Sequence, residues 1–166
     1  MEFTLERAKV RLMHKNDRLE KHGDEDVLAC DLDFQYDTSN AVLGQFNPDL
    51  RTALYKRPDS PQGELVEDSD HLSALRIPEL GLLKLSGKRK GEIVIGSGGK
   101  KNLTFAEATL TKFRVDCKDG GTVVVHFQAQ VRPDETQSGR LSSLLQDKYC
   151  VITLKPEEGS QPPLAD

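Results

Sequence analysis

The side chains of this chain that invite chemistry are four histidines, three cysteines and a glycine-rich lysine turn. His14, His22, His71 and His126 show no His-Glu-x-x-His spacing, so no zinc helix is predicted. Cys30, Cys117 and Cys150 lie far apart in apolar, strand-like contexts without a Cys-x-x-Cys pair, and read as buried free thiols. His22, Asp24, Glu25 and Asp26 read as a solvated loop, and Asp31 and Asp33 as exposed strand acids, in preference to cation sites. The run Gly96-Ser97-Gly98-Gly99-Lys100-Lys101 has the wrong spacing for a phosphate loop, and strand pattern follows it where a helix is required. No Gly-x-Ser-x-Gly is present. Cys117 and His126 fall on opposite faces of one hairpin, which prevents a nucleophile–base pair. The expectation is a protein without catalytic residues, cofactor or metal, acting by binding.

Charge then becomes the informative property. The net charge is −4, but it is segregated along the chain. Residues 17–79 hold six basic and fifteen acidic groups, whereas residues 80–114 hold eight basic and two acidic. The basic stretch supplies Lys84, Lys88, Arg89, Lys90, Lys100, Lys101, Lys112 and Arg114. Of these, Lys88, Arg89, Lys90, Lys100, Lys101, Lys112 and Arg114 are the predicted basic contacts to nucleic acid or a partner. The acidic loop 58–70 supplies Glu64, Glu67, Asp68 and Asp70 as predicted contacts to a basic partner. Such asymmetry marks a partner surface if the two stretches do not neutralise each other within the sheet.

The elements that position these groups are mainly strands. Apolar alternation predicts strands from Phe3 to His14, Leu28 to Tyr36, Leu80 to Leu85, Glu92 to Ile95, Leu103 to Cys117, Val123 to Val131 and Tyr149 to Leu154, with a short one over Leu72 to Ile77. Lys15 to Asp26 reads as a charged connection, and Ser86 to Gly91 as a basic turn. Asn47-Pro48-Asp49 signals a helix from Pro48 to about Lys56, and Ser138 to Gln146 reads as a second helix. The fold class is therefore mainly β: an antiparallel sandwich or a partly open barrel of about seven or eight strands with two short helices. A single domain spans 1–154, with 58–70 as a mobile loop and 155–166 as a disordered tail.

One register follows from parity alone. Phe113, Val115 and Cys117 are apolar at odd positions, as are Val123, Val125 and Phe127. Opposed residues in an antiparallel pair have a constant number sum, so matching them requires a three-residue loop at Asp119-Gly120-Gly121, in a type I turn followed by a left-handed glycine. Cys117 then opposes Val123, Val115 opposes Val125, Phe113 opposes Phe127, and Lys112, Arg114, His126, Gln128 and Gln130 share the other face.

The N-terminal residues lack a signal-peptide pattern and no apolar run spans a bilayer, so a cytoplasmic protein is expected, in the host cytoplasm if phage-encoded. Single-strand nucleic-acid binding also wants aromatic platforms, for which Phe105 and Tyr55 are the candidates. The segment Asp31-Leu32-Asp33-Phe34 through Gln45-Phe46-Asn47-Pro48-Asp49-Leu50-Arg51-Thr52-Ala53-Leu54-Tyr55 is similar to small accessory proteins of tailed phages and prophages. That resemblance implies action near DNA replication, recombination or host defence and carries over no site residue. The leading expectation is a non-catalytic accessory protein that engages nucleic-acid-handling machinery, as an anti-CRISPR-like inhibitor of a host defence complex. Beside it stand direct single-stranded nucleic-acid binding through the basic turns and a structural or assembly subunit, with homo-oligomerisation open.

Overall fold

The computed structural model describes residues 2–59, 71–96 and 101–157. Its strands are β1 (Leu5–His22), β2 (Glu25–Ser39), β3 (Tyr55–Lys56), β4 (Ala74–Leu75), β5 (Leu83–Leu85), β6 (Arg89–Ile95), β7 (Leu103–Cys117), β8 (Thr122–Val131) and β9 (Cys150–Pro156). A 3-10 turn at Asn40–Val42 leads into α1 (Leu43–Phe46), followed by α2 (Leu50–Leu54); α3 (Glu135–Leu144) links β8 to β9.

Six strands close into an antiparallel ring in the order β7, β6, β9, β1, β2, β8 and back to β7. β5 lies outside the ring, on the same edge of β7 that β6 occupies further along. Of the two predicted architectures, this is the barrel. Long strands make closure possible because each serves different partners along its length. β1 pairs with β9 over Leu5–Val10 and with β2 from Arg11 to His22. A barrel of this size is filled by side chains. Phe3, Phe34, Phe113 and Phe127 are buried inside it and, with the half-buried Phe46, form one cluster of stacked and edge-to-face rings with neighbouring centroids 5.2–6.2 Å apart. Val42, Leu43 and Tyr55 are buried at the mouth beyond Ser39, and Leu141 of α3 is buried at the mouth beyond Val131. Asp134 caps α3 in a capping box with Gln137, which places its start before the predicted Ser138.

The parity argument holds in the ladder from Cys117 to Arg114, where Cys117 opposes Val123 and Val115 opposes Val125, but the predicted Phe113–Phe127 pair falls where the pairing of β7 with β8 shifts, between Thr111 and Arg114. The turn type differs from expectation. Gly120 (φ +101°) as well as Gly121 (φ +97°) sits at positive φ, so the Lys118–Gly121 turn is type II in pattern. Tertiary contacts select it. Gly120 N–H donates to Ser73 O at 2.8 Å, and Asn40 N–H donates to Gly121 O at 2.8 Å. The Tyr55 hydroxyl donates to Lys118 O at 2.8 Å, tying the turn to the cap.

Other differences share one physical origin. The predicted connection Lys15–Asp26 is strand, turning only at Gly23-Asp24, where Gly23 has φ +66°. Its apolar alternation is missing because the β1–β2 ribbon runs past the barrel and is solvated on both faces. Ion pairs hold it instead, including Arg18–Asp31 and Arg132–Glu20 at 3.1 Å each. The predicted helix at Pro48 begins at Leu50, because Asn47 closes an Asx turn by accepting from Asp49 N–H at 2.8 Å. The predicted strand over Leu80–Leu85 contains only Leu83–Leu85, leaving Leu80 and Leu82 40% and 47% exposed. The basic turn at Ser86–Gly91 is shorter than expected, since Arg89, Lys90 and Gly91 already belong to β6. Lys155 and Pro156 of the predicted tail belong to β9. No described helix is long and apolar enough to cross a membrane.

Candidate functional site

The outward residues of β2, β8, β7 and β5 form one continuous polar face. The ladders place Asp33 opposite Gln128, Gln35 opposite His126, His126 opposite Arg114, and Arg114 opposite Lys84. Near the centre of this face, β7 is bulged. Its pairing with β8 shifts between Thr111 and Arg114, and Lys112 takes φ +54°. A bulge opposes two residues to one and re-aims the side chain at the extra position. Phe113 turns into the core, fully buried, while Lys112 turns to solvent.

The result is an open cleft of about 420 Å³, with Lys84, Lys112 and Arg114 on its cationic side and Asp33 and Gln128 on the other. Phe113 forms part of its lining. Among the described residues, none of the three cations has a carboxylate within ion-pair distance. Asp33 is already engaged, accepting from Gln128 Nε2 at 3.0 Å. Arg114 Nε donates weakly to Lys112 O at 3.4 Å, which ties the two basic residues together across the bulge. His126 borders this set. Burial lowers its pKa first and the Arg114 guanidinium lowers it further, with Asp116 and Asp37 opposing. The imidazole beside the cations is therefore held toward its neutral form.

No protein-family model, curated protein or solved structure matches the chain.

The predicted basic residues do not form one patch. Lys112 and Arg114 meet in the cleft, joined by Lys84 from the same basic stretch. Lys88 is exposed in the connection between β5 and β6, and Lys101 is exposed before β7. Lys90 lies by a separate cavity of about 240 Å³ that Glu20, Glu107, Arg132 and Glu157 also line, so acids surround it. Arg89 is the departure. β6 buries Gly91, Ile93 and Ile95, and Arg89 shares their phase and points inward. Its Nη1 donates to Phe3 O, and burial holds its guanidinium below the ordinary arginine range. It is therefore not available as a surface contact. Lys100, Glu64, Glu67, Asp68 and Asp70 lie outside the described residues.

Chemistry elsewhere is sparse among the described residues. No group of three His, Cys, Asp or Glu is arranged to hold a metal ion. Asp31 pairs with Arg18 instead of sharing a cation with Asp33. All three cysteines are free thiols. Cys30 donates to Asp17 Oδ1 at 2.8 Å, and burial together with that carboxylate pushes its thiol up to about 11. Burial likewise pushes Cys150 up to about 11. Neither thiol is activated as a nucleophile.

Both candidate stacking rings are inside the molecule: Tyr55 is fully buried and Phe105 is 6% exposed. The exposed ring is Tyr149, which carries Lys9 Nζ 4.2 Å from its centroid. It adjoins β9 and β1, across the ring from β7. The sequence pattern missed the roles of Leu80 and Leu82. Together with Leu83 and Leu85 they make an apolar run that resembles a buried strand, and only the ladder to β7 shows where pairing begins.

Proposed function

We propose that this protein works by binding, and that its working surface is the cleft of Lys84, Lys112 and Arg114, which receives an acidic surface of a protein that handles nucleic acid. One observation carries the reading: three cations converge on a cleft whose lining, among the described residues, holds a single carboxylate, Asp33, which pairs with none of them and instead accepts from Gln128. Unneutralised charge around a concavity steers an oppositely charged partner and sets its register. Direct single-strand binding is disfavoured, because the cleft presents no aromatic ring to solvent and the two candidate platforms are in the core. The phage-type resemblance makes a host nucleic-acid enzyme or defence complex the expected partner, with inhibition as the consequence.

Affinity capture from a host lysate tests this, with the tagged wild-type chain compared against the Lys84→Glu, Lys112→Glu, Arg114→Glu triple variant. The expected result is recovery of a nucleic-acid-handling protein by the wild type and its loss from the variant, with nuclease treatment making no difference. Equal recovery by both would overturn the assignment of the cleft. Tight, steeply salt-dependent binding to a bare oligonucleotide would replace the protein partner with nucleic acid itself.

A further inference from the structure

β5 pairs with β7 along one edge only, at Leu83–Val115, Lys84–Arg114 and Leu85–Phe113. Among the described residues, no strand and no backbone hydrogen bond covers its other edge. Natural sheets shield such edges because unpaired N–H and C=O groups recruit another strand. Here the approach to the edge carries apolar residues: Leu80 is 40% exposed and Leu82 is 47% exposed, just before Lys84. An open edge, an apolar ledge and a cationic cleft therefore adjoin one another.

We propose that the open edge of β5 is a docking strand, to which an extended acidic segment of the partner protein adds as a further strand beside Leu83–Leu85. This rests on the reading of the cleft as a protein-binding surface. In strand addition, main-chain hydrogen bonds supply affinity and alternate side chains supply specificity. The segment's acidic side chains would face Lys84, Lys112 and Arg114, and its apolar ones would cover Leu80 and Leu82. Charge selects this occupant over a second copy of the chain, because self-pairing would set Lys84 and Lys88 of one copy against the same lysines of the other. A nucleic-acid backbone offers no strand ladder and leaves the two leucines exposed.

The test uses the full chain with a short capped peptide alternating Glu and Val, the same peptide with every backbone amide N-methylated, and an oligothymidine. Amide exchange across Leu83–Leu85 and binding by fluorescence anisotropy are the readouts. The Glu-Val peptide is expected to slow exchange of the outward β5 amides by at least about tenfold at saturation. The N-methylated peptide, which has no backbone N–H to donate to a ladder, and the Lys84→Glu variant should each bind at least about tenfold more weakly. Equal binding of the Glu-Val and N-methylated peptides, with β5 exchange unchanged, overturns strand addition and leaves the cationic surface standing. Absence of binding by either peptide overturns both readings. Oligothymidine binding more tightly than the Glu-Val peptide overturns the choice of a protein segment.

Discussion

Gln128 and Asp33 face one another across the β8–β2 ladder, and Gln128 Nε2 donates to Asp33 Oδ1 at 3.0 Å. The bond holds the cleft's carboxylate on β2 while the cations project from β7 and β5. Replacing Asp33 by Asn keeps an acceptor for Gln128 and removes the negative charge. Asp33→Asn is therefore expected to tighten binding of an acidic peptide by roughly 0.5–1 kcal/mol, with the gain shrinking as salt rises. Isothermal titration at two ionic strengths measures it. An unchanged affinity would mean that Asp33 does not oppose ligands in the cleft.

The bulge that builds the cleft rests on a lysine at φ +54°. A β-branched residue there is a steric outlier, so Lys112→Val should destabilise the fold by about 1–2 kcal/mol. Lys112→Gly relieves the strain while raising the entropy of the unfolded chain, and the two effects nearly cancel, leaving stability within about 0.5 kcal/mol of wild type. Urea denaturation distinguishes the two. Because the Gly variant deletes the cation without disturbing the bulge, it also serves as a clean binding control.

The solvated ribbon has an acid-sensitive anchor. Glu20 is bonded to His22, Arg18 and Arg132, and these partners hold its pKa at about 2, below an ordinary value of 4.5. A carboxylate depressed in the folded state stabilises it above the unfolded pKa and loses that contribution as pH falls through the folded value. Part of the acid destabilisation between pH 4.5 and about 2 should therefore be absent in Glu20→Gln. Melting temperatures across that range test the sign: the variant should be less stable at neutral pH and should converge with wild type toward the acid end.

Cysteine reactivity reads the closure of the barrel. Cys30 is fully buried, and its thiol is raised to about 11 by desolvation and the Asp17 carboxylate. Alkylation at mildly alkaline pH should leave Cys30 unmodified in the native protein and modify it fully in denaturant. Mass spectrometry of peptides after timed labelling follows this. Rapid native labelling of Cys30 would show that α3 does not seal its end of the barrel.

Much of the wall was legible from the residues. The even–odd alternation of Val115–Cys117 and Val123–Val125, together with two glycines, is enough to set the register next to the turn, because a slip by one residue would turn core side chains to water; beyond Arg114 the bulge shifts the pairing by one residue. The same alternation places Arg114, His126 and Gln128 on a common outer face. It does not reach the ribbon, where Arg18 is paired with Asp31 and Glu20 with Arg132, and where polar residues leave no apolar period to read. Nor does it reach Arg89, whose position in a basic run suggests solvent although its strand phase is that of buried Ile93 and Ile95.

By itself, the sequence determined the strand-rich class, the absence of catalytic motifs, the Asp119–Gly121 loop and the basic character of residues 80–114. These follow from local periodicity, turn chemistry and counting. The tertiary structure decided which cations work together. Lys84 and Arg114 stand thirty positions apart and meet because β5 takes the edge of β7 beside the bulge, whereas Arg89, the neighbour of Lys88 and Lys90, is turned inward. It also decided the turn type at Gly120, through the bond to Ser73, and the closure of six strands into a ring. Such features depend on which distant strands pair and where each pairing stops, a choice made by the free energy of the whole core and not by any one segment.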